Sequence, residues 1–163
     1  VTGDGERPDG VEYAEGKALG REVIMPTING VLETALYVED MEGARSFFEG
    51  VMGLEPFTAD HRFTAYDAGA ASVLLLFRQG ETLETVELPD GMGTIPPHDG
   101  KGRMHLALAI SAGELEAWEA RLEAHGITIE GRTHWPRGGE SLYFRDPDGH
   151  LLELATPGVW PNY

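Results

Sequence analysis

GVLETALYVEDMEGARSFFEGVMGLEP, residues 30–56, and GRMHLALAISAGELEAWEARLEAHGITI, residues 102–129, are two versions of one pattern. Each opens on alternating apolar residues, runs through a capped helix and closes on a glycine. His105 follows Glu33 by 72 positions, the interval that also separates Gly102 from Gly30, while Gly126 follows Gly53 by 73. One inserted residue accounts for the slip. Two copies are too few to stack as a solenoid, so the repeat marks a duplicated supersecondary module.

In the first copy Leu32, Thr34, Leu36 and Val38 share one face of a strand, and Glu33, Ala35 and Tyr37 share the other. Asp40 caps a helix whose Ala44, Phe47, Phe48 and Val51 have the spacing of a buried stripe, and Gly53 ends it. Strands are expected near Phe57, over 62–67 and over 72–77, which gives βαβββ. In the second copy Met104, Leu106, Leu108 and Ile110 form the apolar strand face, and Leu115, Trp118 and Leu122 the inner helix stripe. Strands follow at 127–130, 141–145 and 151–156, with the DPDG turn at 146–149. The expected fold class is α+β: two tandem βαβββ modules forming curved mixed sheets around a central cavity.

The flanks divide the chain further. Residues 1–29 read as a flexible acidic extension, with a short strand in REVIMPTING. The modules span 30–78 and 102–158. Between them, 79–101 is rich in Gly and Pro and long for a connection, so it reads as a linker or lid. Residues 159–163 form a C-terminal tail.

Composition removes several function classes. With 163 residues, 41% of them hydrophobic, a core is affordable. A net charge of −16, from 28 acidic against 12 basic residues and no basic stripe, argues against nucleic acid as a partner. No cysteine is present, which excludes thiolate chemistry and leaves His, Asp and Glu to hold any metal. No apolar run has membrane-spanning length and no signal peptide is visible, so a soluble cytoplasmic protein is expected. The P-loop, HExxH, GxSxG and dinucleotide fingerprints are all missing from the sequence.

Strand parity isolates the chemistry. His105 lies opposite the apolar row of its strand, beside the small Ala107 and Ala109, and Glu153 shares a face with Leu151 and Ala155. Facing curved sheets would converge Glu33, His105 and Glu153 on one divalent cation of the Zn, Mn, Ni, Co or Fe type, with positions open to water and substrate. A lone strand histidine is ordinarily a packing residue and a lone strand glutamate a solvated one, so parity by itself is weak.

The two βαβββ units, Glu33, GRMHLALAI and above all FRDPDGHLLELATPG, residues 144–158, resemble the vicinal oxygen chelate superfamily, which includes glyoxalase I and the fosfomycin resistance, extradiol dioxygenase and bleomycin resistance proteins. The resemblance covers residues 30 to 158 and implies that Glu33, His105 and Glu153 are metal ligands. It also implies a homodimer in which module one of one chain faces module two of the other.

SVLLLFRQ, at 72–79, departs from the pattern, for the position equivalent to Glu153 falls on Leu74 or Leu76. Glyoxalase I has a carboxylate there, extradiol dioxygenases resemble a two-His, one-carboxylate triad that Glu33 breaks, and fosfomycin-type proteins offer His where Glu33 stands. His98, in IPPHDG, is placed on the lid to approach the metal or act as acid or base. Tyr37, Trp135, Arg137 and Tyr143 are the expected substrate-binding residues, with His134 and Trp135 rimming the cavity and Arg137 available to an anion.

The expected function is that of a divalent-metal-dependent, glyoxalase-like lyase or isomerase. It would act on a small oxygenated substrate by metal chelation and enolate stabilisation, with Glu33 or Glu153 moving the proton. The alternatives are a sequestering protein of the bleomycin resistance type and a dioxygenase with an atypical ligand set.

Overall fold

The computed structural model describes residues 25–163. Met25–Gly30 carry no helix or strand, and they belong to a unit distinct from Val31–Tyr163. The acidic extension up to residue 24, with the first part of REVIMPTING, lies outside the described residues.

Alternation places the first strand as expected. In β1 (Glu33–Val38) Leu36 and Val38 are buried, while Ala35 and Tyr37 keep part of their surface on the opposite face. Asp40 accepts from the Glu42 N–H at 3.1 Å and starts α1 (Met41–Arg45), which continues as a π-helical turn over Ser46–Val51. Ala44, Phe47, Phe48 and Val51 are all buried by this segment. Gly53, with φ +71°, ends it in the left-handed region where a side chain would be strained.

β2 (Pro56–Ala59), β3 (Phe63–Asp67) and β4 (Val73–Arg78) complete a sheet of order β1-β4-β3-β2, with β1 and β4 parallel. The 79–101 stretch holds a hairpin of β5 (Val86–Glu87) and β6 (Thr94–Ile95). Its neck is tied by Asp99, which accepts from the Thr82 hydroxyl at 3.1 Å and the Gly80 N–H at 3.2 Å. It is a closed strap of chain.

Module two repeats the plan. β7 (His105–Ala109) leads into α2 (Leu115–Ala124), whose entry is fixed by a reciprocal Ser111–Glu114 capping box. β8 (Gly131–His134), β9 (Glu140–Arg145) and β10 (Leu151–Ala155) form a sheet of order β7-β10-β9-β8, with β7 and β10 parallel. The strand expected over 127–130 in fact starts at Gly131. Ile127 and Ile129 alternate because they pack on the core, and steady pairing with β9 begins only where Gly131 meets Tyr143.

One core serves both modules. Phe48, Leu74 and Leu76 share it with Leu122, Phe144 and Leu152, and the Phe47 and Phe144 rings lie 6.5 Å apart. The apolar faces of the two sheets therefore look inward, and their other faces look away from the core. Leu74 has no exposed surface. Leu74→Ala should therefore cost about 2–5 kcal/mol, read as a lower denaturant midpoint at unchanged slope.

Polar contacts lock the modules in register. The His150 ring is fully buried; its Nδ1 accepts from the Met104 N–H at 3.0 Å, which leaves Nε2–H to donate to the Tyr37 carbonyl at 3.0 Å. Asp148 accepts from the Glu39 N–H at 2.6 Å, and the Arg121 guanidinium reaches the Val51 and Gly50 carbonyls. The DPDG turn thus clamps the end of β1. Among the described residues, no helix is long and apolar enough to cross a membrane.

Candidate metal and substrate site

Parity puts His105 and Glu153 on the same side of neighbouring strands, and the structure brings them together. His105 Nε2 lies 3.3 Å from Glu153 Oε2. The imidazole is half-exposed and the carboxylate almost fully covered, at 50% and 8% of their side-chain surface. His105 Nδ1 is 3.0 Å from the Leu151 carbonyl, which can only accept, so Nδ1 carries a proton and Nε2 is the nitrogen that faces the carboxylate. With a proton on Nε2 the two groups form an ion pair; without it Nε2 offers a lone pair, and a divalent cation can take the proton's place between them.

The other carboxylate oxygen is already committed. Glu153 Oε1 accepts from the Ser141 hydroxyl at 2.5 Å and from the Tyr143 hydroxyl at 3.1 Å. Trp135 Nε1–H donates in turn to the Ser141 oxygen at 2.8 Å. Burial, with the Glu153 charge beside it, raises the Tyr143 phenol above its ordinary pKa and keeps it a donor. Oε2 and Nε2 are thus held facing one space by partners on their far sides, the outer-shell orientation that metal ligands require. The donor types and their orientation fit a divalent cation.

Glu33 is placed elsewhere. It lines a cavity of about 650 Å³ on the outer face of module one, while Glu153 lines a smaller one of about 270 Å³ on the outer face of module two. Among the described residues no three His, Asp or Glu side chains of one chain form a metal-holding group. The register also corrects the equivalence of Glu153. Glu153 pairs with Ala107, whose counterpart Ala35 pairs with Leu75. Leu74 and Leu76 face the core, and it is Leu75 that lines the outer cavity.

Tyr37 and His98 also line the module-one cavity. The Tyr37 hydroxyl lies 2.7 Å from His98 Nδ1, and burial, followed by the Asp99 carboxylate, raises the Tyr37 pKa. The protonated phenol can donate to Nδ1, the arrangement that leaves the ring proton on Nε2, or accept from Nδ1–H in the other tautomer. Gly100 allows this approach, since a Cβ there would stand 2.6 Å from the Tyr37 ring.

Other expected residues have different tasks. Trp135 steadies Ser141 and hence Glu153; it does not line either cavity. His134 pairs with Glu140 at 2.8 Å on the exposed β8–β9 hairpin, and Arg137 lies exposed in the following turn, outside both cavity linings. Ser141 and His150 were not singled out in the sequence. Their signal was present only as strand parity with Glu153 for Ser141, and as adjacency to the DPDG turn for His150.

The family model described as the Glyoxalase/Bleomycin resistance protein/Dioxygenase superfamily matches residues 30–154. The chain belongs to this superfamily. It is 31% identical over 131 residues to a metallothiol transferase FosB of Shouchella clausii, covering 79% of this chain and 81% of that protein. With the FosB of Bacillus licheniformis it shares 26% over 134 residues, 82% of this chain and 79% of the other. A lactoylglutathione lyase structure from Agrobacterium tumefaciens superposes with a TM-score of 0.73 at 29% identity, over 83% of this chain and 99% of that one. These relatives are enzymes, and the superposition shows the α+β fold of two mixed four-stranded sheets to be shared with the lyase.

Proposed function

We propose that the protein is a divalent-metal-dependent enzyme of the glyoxalase type, a lyase or isomerase of a small oxygenated substrate, with its centre completed by a second copy of the chain. The observation that carries this reading is the His105–Glu153 pair, two oriented donors on an outer sheet face with no third donor beside them among the described residues. Glu33 supplies the third. It lies on β1 and His105 on β7, and among the described residues both are edge strands with an unpaired side. Open edges invite pairing with another chain. Joining β1 of one copy to β7 of another would set Glu33 beside His105 and merge the two outer cavities into one.

When bound there, a divalent cation supplies Lewis-acid polarisation of the substrate oxygens. The chain's own residues do the rest. Ser141 and Tyr143 hold Glu153, and the Leu151 carbonyl holds the His105 tautomer. Glu33 offers a carboxylate to accept a proton, and His98, with Nδ1 occupied by Tyr37, holds one to return from Nε2. Leu75, where a fourth ligand would stand, leaves coordination positions for water and substrate.

Equilibrium dialysis against Zn, Mn, Ni, Co and Fe(II) tests the reading, with one ion per chain expected for at least one metal. Failure to retain any of them would favour the sequestering alternative, which the apolar Leu75 and the open cavity support. His98→Ala should keep the metal and lower turnover by about 10²–10⁴, the usual contribution of a positioned acid or base. Loss of metal in that variant would make His98 a ligand, and wild-type turnover would remove it from the chemistry.

A further inference from the structure

Three aromatic rings lie on the outer face of module one. Tyr37 on β1, Phe77 on β4 and Phe63 on β3 are cross-strand partners in register. Their rings stack in sequence, Tyr37 on Phe77 at 5.8 Å and 26°, and Phe77 on Phe63 at 5.8 Å and 24°. All three retain exposed surface and line the 650 Å³ cavity. His98 stands edge-on to the middle ring, at 4.8 Å and 72°. The strap contributes Val86, Leu88 and Ile95, and the floor Leu75 in place of a carboxylate.

Charge narrows the occupant further. Arg62 is the one cationic side chain among the lining residues, against Glu33 and Glu84. One guanidinium beside two carboxylates is a poor seat for a dianionic phosphate or phosphonate, whose recognition calls for converging cations. A stacked row of rings presents its edges beside the apolar strap residues, a lining that suits a flat, uncharged ring, which gains from edge-to-face contact and from covering apolar surface.

We infer that the module-one cavity seats an uncharged aryl group, so that the substrate class is aryl compounds with oxygen functions on atoms next to the ring. The oxygen end rests on the metal centre proposed above; the aryl seat does not. Ala35, beside Leu75, leaves depth between that floor and Glu33 for the oxygen-bearing end.

Benzohydroxamate and acetohydroxamate test the inference by calorimetry on the full-length protein, since both present adjacent oxygens and differ in carrying a phenyl or a methyl group. Benzohydroxamate should bind wild type at least about tenfold more tightly, a modest return for covering one ring. Phe77→Ala should bring the ratio close to one with metal content unchanged, and Phe63→Leu, which keeps most of the volume, should reduce it at least about threefold. In His105→Ala both affinities should fall while the ratio persists. A ratio near one in wild type, or one unmoved in both phenylalanine variants, would overturn the aryl seat, as would methylphosphonate binding more tightly than benzohydroxamate. Equal affinities in wild type and His105→Ala, with the phenyl preference intact, would sink the metal reading and leave the aryl seat standing.

Discussion

His105→Ala is expected to abolish stoichiometric divalent-metal binding while leaving the fold intact. The imidazole is half-exposed on the outer face of β7, and among the described residues its polar partners are the Leu151 carbonyl and the Glu153 carboxylate. Its removal opens no core cavity, so the thermal midpoint should move by no more than a few degrees. The loss falls on the cation, which would keep only carboxylate donors. Glu153→Gln should have an equally large effect on metal, because the amide can still accept from Ser141 and Tyr143 but no longer brings a charge.

Ser141→Ala and Tyr143→Phe should be milder, at about 10–100-fold in metal affinity, as befits groups that orient a ligand without touching the ion. The gradient across these variants is what identifies a metal centre. A His–Glu pair that merely packed would show the same small stability changes and no ordering in metal content. Metal retained by His105→Ala at the wild-type level would remove the site.

The duplicated strand, helix and closing glycine told the fold, because period-two and period-3.6 patterns are local and each was written twice. Strand parity likewise told which faces Glu33, His105 and Glu153 occupy. What depends on pairing between distant strands was not legible. Leu74, Leu75 and Leu76 are equivalent by composition, and only the β1–β4 register shows that Leu75 matches Glu153. The same limit hid the hydrogen bond from Trp135 to Ser141, and with it a supporting role easily mistaken for a cavity rim.

His150 is the extreme case. Its Nε2 reaches the carbonyl of Tyr37, 113 residues earlier, and nothing local distinguishes a histidine after a DPDG turn from a solvated one. The absence of a three-donor group among the described residues was also beyond the sequence, since strand parity gives faces without saying which two faces meet. The structure supplies the reason. Both modules turn their apolar faces to one shared core, which directs the face of Glu33 and the face of His105 and Glu153 away from each other.

That outward placement makes subunit complementation the most discriminating expectation. Glu33→Ala and His105→Ala should each bind little metal as homodimers, since every site then lacks a donor. A purified heterodimer of the two variants should recover about half of the wild-type metal. If each site joins Glu33 of one chain to His105 and Glu153 of the other, one site collects both substitutions and its companion is wholly wild type. If each site were built within a single chain, both sites of the heterodimer would be damaged and no metal would return. Differently tagged chains, refolded together and separated on both tags, allow the count by elemental analysis, and scattering over micromolar concentrations reads the assembly. A protein that stays monomeric, or a heterodimer as empty as its parents, would remove the exchanged centre, and with it the means by which a chain carrying two donors on one face and one on another could close them around an ion.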